Sequence, residues 1–74
     1  MAFIDTVAER LAVAAFEQAQ ATDDPDLVED VSKLIGTTSP TLQEVYETCI
    51  RYLRAEARAM EFIQKRVGVV DDGG

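Results

Sequence analysis

An all-α fold is predicted by three observations. No segment alternates apolar and polar residues over the length of a strand, apolar residues recur at steps of three and four through three stretches, and capping residues, proline or glycine bound those stretches. With 74 residues the chain can form one domain, read here as residues 1–68, followed by a flexible C-terminal tail at 69–74. A composition that is 47% hydrophobic and 28% charged is that of a chain that folds.

The first helix is predicted over about residues 2–21. Ile4, Val7, Ala8, Leu11, Ala15 and Ala19 form a broad face, while Val13 and Phe16 lie well round from it, so this helix should meet more than one neighbour. Thr22-Asp23-Asp24-Pro25 ends it. Asp24 can cap the next helix, and Pro25 suits a first helical position, where its missing N–H would have had no partner. The second helix, about 25–35, carries Leu27, Val28, Val31, Leu34 and Ile35 on one stripe, and Gly36 is expected to close it in the left-handed conformation.

Ser39-Pro40 repeats the start signal, and no glycine or proline follows until Gly68, so the third helix is predicted over about 40–67, roughly 42 Å long. The first two helices, at about 30 and 16 Å, could lie end to end along it or fold back on each other. Leu42, Tyr46, Cys49, Leu53, Glu56, Met60, Ile63 and Val67 step by fours and threes, the spacing of a coiled-coil seam with Glu56 its only polar member. Val45, Tyr52 and Ala59 on one side and Ile50 and Ala57 on the other widen the stripe to two contact surfaces. One is expected to hold the first two helices and the other to face a second copy or a different protein.

A core this small needs support, and one cysteine and no histidine exclude both a disulfide within the chain and a structural zinc site. Self-association or a partner is the remaining route, and a dimeric helical bundle is the expected form. Tyr46, Tyr52, Leu53, Glu56, Met60 and Ile63 are the expected association face, with Phe62 as a further aromatic anchor.

The formal charge is −7, but residues 1–31 hold eight acids against Arg10 alone, while residues 32–74 hold six of each sign. The acidic turn with Asp24 and Asp26 is therefore expected to approach Arg51, Arg54 and Arg58 of another copy. Glu47 with Arg51 and Glu61 with Lys65 are expected pairs along the helix.

Val31-Ser32-Lys33-Leu34-Ile35-Gly36-Thr37-Thr38-Ser39-Pro40-Thr41-Leu42 resembles a helix-turn-helix DNA-binding motif with its turn at Gly36–Pro40. The resemblance implies a transcriptional regulator reading bases through Ser39, Thr41, Gln43 and Glu44. Acidic Glu44 and Glu47 and the overall charge oppose a polyanion, so nucleic acid is not the expected partner.

Enzymatic chemistry has little support without histidine, and Cys49 on the apolar seam reads as a small hydrophobe. No cofactor is implied, and no metal site either: Asp23-Asp24-Asp26 and Asp71-Asp72 lack the spacing of a calcium loop. Gly73-Gly74 resembles the end of ubiquitin-like modifiers, a family that requires strands before it. The absence of a membrane span or signal segment gives a cytoplasmic expectation. The chain is thus expected to be a non-catalytic acidic adaptor or regulator, acting through self-association and an unidentified protein partner.

Overall fold

The computed structural model describes the backbone of residues 2–73 and the side chains of residues 2–66. Its described residues form three helices and no strand: α1 (Phe3–Ala21), α2 (Leu27–Gly36) and α3 (Pro40–Gly73).

The termini obey local chemistry. The N–H of Leu42 donates to Ser39 Oγ at 3.1 Å, so Ser39 caps α3 with Pro40 as the first helical residue. Asp24 acts one turn earlier than expected, accepting from the N–H of Asp26 at 3.2 Å to set up the turn from which α2 begins at Leu27.

Two glycine expectations are corrected. Among the described residues no glycine has positive φ; the left-handed residue is Asp23, at φ 53°, beyond the end of α1. The N–H of Asp24 reaches the carbonyl of Ala19 and that of Asp23 the carbonyl of Gln20, the paired bonds of a Schellman closure. Gly36 stays helical, and its lack of a side chain answers a steric demand: a Cβ there would lie 2.7 Å from Gln43 Nε2. The second correction is at Gly68, where α3 was expected to stop; the helical backbone runs on to Gly73. A single glycine costs a helix about 1 kcal/mol relative to alanine but keeps its N–H, so it need not end the hydrogen-bond ladder. Gly74 and the Val67 side chain lie outside the described residues.

The helices pack up, down and up. Asp5 and Glu9 of α1 share a cleft with Cys49 of α3, and Phe16 shares one with Arg54 and Arg58, so position rises together along the two. Val28 of α2 lies in a cleft with Arg54, while Ser32 bonds Glu47, which is the reverse order. The end-to-end alternative for α1 and α2 is thereby settled.

The core consists of Ala8, Ala12, Ala15, Val28, Ile35, Tyr46 and Ile50, with Leu11, Phe16, Leu42, Cys49 and Leu53 among the half-buried residues around it. Alanine at 8, 12 and 15 gives α1 a flat face on which large α3 side chains can lie. Leu34, expected on the buried stripe of α2, is 70% exposed. The inward line of α2 is Val28, Ser32 and Ile35, and Leu34 lies about 100° from Ile35.

The molecule is elongated, 54 × 30 × 13 Å with a radius of gyration of 15.5 Å, against about 11 Å for a compact chain of this length. At about 51 Å, α3 alone sets the long axis. From Arg54 to Arg66 every residue is exposed, and beyond Arg58, which still shares a cleft with Phe16, this helix projects from the bundle.

Candidate interaction surface

An apolar groove opens between α1 and α3 on the side away from α2. Its floor is Ala12 and Val13 of α1 with Val45, Cys49 and Leu53 of α3; Tyr52 forms one edge, and Asp5, Glu9 and Glu56 rim it. Burial is the main influence pushing the Cys49 thiol above its ordinary range, and Glu9 and Asp5 add to it. Such a thiol is a poor nucleophile at neutral pH.

The groove runs into the projecting part of α3. Tyr52, Met60 and Ile63 are 71%, 47% and 51% exposed and lie on the flank of α3 that faces the groove mouth, with Glu56 between them. Groove and stripe form one apolar track from Val45 to Ile63, about 27 Å long.

The expected association face is thus divided. Tyr46 is fully buried and donates its hydroxyl to the Val28 carbonyl at 2.9 Å, so it belongs to the chain's own core. A tyrosine at a seam position can serve either an inner or an outer contact, and the carbonyl of α2 captures this one. Leu53 is half-buried against the same core, while Tyr52, Glu56, Met60 and Ile63 remain outside it. Phe62 is on another flank, with the Arg66 guanidinium 5.3 Å from its ring centre. That contact was readable as an aromatic–arginine pair four residues apart. The α1 wall of the groove was not, because it depends on how two helices align.

The charged residues are also redistributed. Arg54 lines the clefts that hold Asp23 and Glu29 of its own chain, on the α2 side of α3. Arg51 and Arg58 flank Phe16, and Asp24 and Asp26 are exposed. The expected Glu47–Arg51 pair gives way to other contacts: Glu47 accepts from the Ser32 hydroxyl, and Arg51 donates to Thr48 Oγ1 at 3.1 Å. Buried Ser32 is the reason, since its hydroxyl needs an acceptor and Glu47 supplies one.

The α2–turn–α3 unit has its polar groups engaged internally. Gln43 Nε2 donates to the Ser32 carbonyl at 3.0 Å, and Ser39 Oγ is occupied by its cap. Two of the four side chains that the helix-turn-helix resemblance assigns to bases are therefore committed; Thr41 and Glu44 are exposed. Among the described residues no group of three or more potential ligands could hold a metal ion, and no helix is long and apolar enough to cross a membrane. Comparison with protein-family models, with curated proteins and with solved structures gives no match to this chain.

Proposed function

We propose that the chain is a small, acidic, non-catalytic adaptor or regulator that self-associates and offers a helical surface to a protein partner. The observation that carries this reading is the uninterrupted exposure of α3 from Arg54 to Arg66, with Met60, Phe62 and Ile63 open to solvent. A compact protein of 8.1 kDa would expose about 4,500 Å². This chain exposes 5602 Å², a surplus of about 1,100 Å². A stable interface takes about 800 Å² from each partner, so the surplus is of the right size.

DNA binding has weaker support, because Gln43 and Ser39 are engaged within the fold and the net charge is −7. A reducing cytoplasmic setting fits the lone Cys49 in its apolar surroundings. Light scattering on a gel-filtered sample tests self-association: a dimer mass at about 10 μM is the expected result, since a standard interface binds at micromolar or tighter. A monomer mass throughout that range refutes it.

A further inference from the structure

We propose that two copies pair through antiparallel α3 helices, each inserting its projecting stripe, Met60 and Ile63, into the α1/α3 groove of the other. This deepens the self-association reading and rests on it. The groove and the stripe lie on one flank of one helix, on either side of Glu56. A two-fold axis passing near Glu56 therefore brings stripe onto groove twice at once and leaves neither unfilled. In that register residue 60 meets residue 52 of the second copy and residue 63 meets residue 49, so Met60 lies on Tyr52 and Ile63 on Cys49.

A head-to-tail arrangement would leave one stripe and one groove open at the ends. A parallel pair would leave both grooves empty and stack stripe on stripe. Charge does not set the pairing: Asp5 and Glu9 rim the groove, while Arg54, Arg58 and Lys65 lie on the other side of α3 from Met60 and Ile63, so the apolar surfaces carry it. The surplus of about 1,100 Å² exceeds the roughly 800 Å² that a standard interface takes from each partner.

Glu56 marks the axis. The pairing brings two carboxylates towards each other in an apolar setting, which opposes association. Glu56→Leu should therefore lower the dimer dissociation constant at least about tenfold, whereas Met60→Glu with Ile63→Glu should raise it at least about a hundredfold. These positions are exposed in the single chain, so unchanged helix content by circular dichroism controls for folding.

Orientation is tested with a spin label on Glu44→Cys in a Cys49→Ala background, measured by pulsed dipolar spectroscopy alongside light scattering. Residue 44 precedes residue 56 by twelve, so antiparallel pairing places the two labels about 36 Å apart along the axis, against less than about 25 Å for a parallel pair. A dimer with the long distance and a tightened Glu56→Leu variant is the expected result. A dimer with the short distance, or a Glu56→Leu variant that binds no tighter, overturns the pairing and leaves self-association standing. A monomer overturns both.

Discussion

Removing one oxygen from Tyr46 tests the packing of α2 on α3 more sharply than any truncation. The side chain is fully buried, and its hydroxyl donates to the Val28 carbonyl at 2.9 Å. Tyr46→Phe keeps the ring, so no ring-sized cavity opens and the loss is that of one buried hydrogen bond, about 1 kcal/mol. A chain of 74 residues has about a tenth of a kcal/mol per residue in hand, about 4–11 kcal/mol in all, so the change is visible. The melting midpoint should fall by about 4–8 °C. Tyr46→Ala would lose about 3–5 kcal/mol and bring the fold close to failure.

The hydroxyl gives the same prediction a pH signature. Burial, aided by Glu29 and Glu47 and opposed by Arg54, raises its pKa above the ordinary 10.0. The native state then holds this proton to higher pH than the unfolded chain. Its stabilising contribution is complete below pH 10 and is lost as pH rises through the folded value. Phenylalanine has no proton to lose. In urea titrations followed by helical circular dichroism at fixed protein concentration, the deficit of Tyr46→Phe should be about 1 kcal/mol at pH 7 and shrink above pH 10. A deficit that stays constant or grows with pH, or no deficit at pH 7, refutes the reasoning.

Three further outcomes follow from the same geometry. Asp23→Gly relieves a left-handed backbone at φ 53° and should stabilise the chain by about 0.5–1 kcal/mol in the same urea assay, the gain being partly offset by the flexibility of unfolded glycine. Gly36→Ala should be nearly neutral, because better helix propensity is offset when the new Cβ pushes the Gln43 amide off the Ser32 carbonyl. In a Gln43→Ala background the same substitution should gain about 1 kcal/mol, and a double-mutant cycle measures the difference. Cys49 should react with iodoacetamide more slowly than an unfolded thiol at pH 8, and Asp5→Asn with Glu9→Gln should speed it, since those carboxylates help to hold the proton on.

What the sequence made legible was local. Ser39-Pro40 announced a helix start through a hydroxyl and an imino ring, and the start is where those groups require it. The seam of α3 was equally plain, because its period is carried by neighbours on one helix. Contacts that depend on a second element were harder to read. Ser32 looks like a surface residue beside Leu34, yet it is 3% exposed and Leu34 is 70% exposed, because Glu47 and Gln43 of α3 satisfy the hydroxyl and carbonyl at that depth. Gly36 read as a helix stop for the same reason: the Gln43 side chain that crowds it is remote in sequence.

The division of α3 into a covered and an uncovered half turns on one short turn. The seam from Leu42 to Val67 is uniform in period, and nothing in it says where intrachain packing ends. Laid end to end, α1 and α2 would come to about 44 Å and could cover all of that span, about 39 Å. Side by side, the longer of them covers about 28 Å and ends near Arg58, which leaves Met60 and Ile63 of α3 beyond it. Asp23 in the left-handed region, with the Asp24 N–H closing on the Ala19 carbonyl, reverses the chain and selects the second arrangement. The exposed stripe of Met60 and Ile63 is therefore a consequence of the turn between α1 and α2 as much as of the helix that carries it.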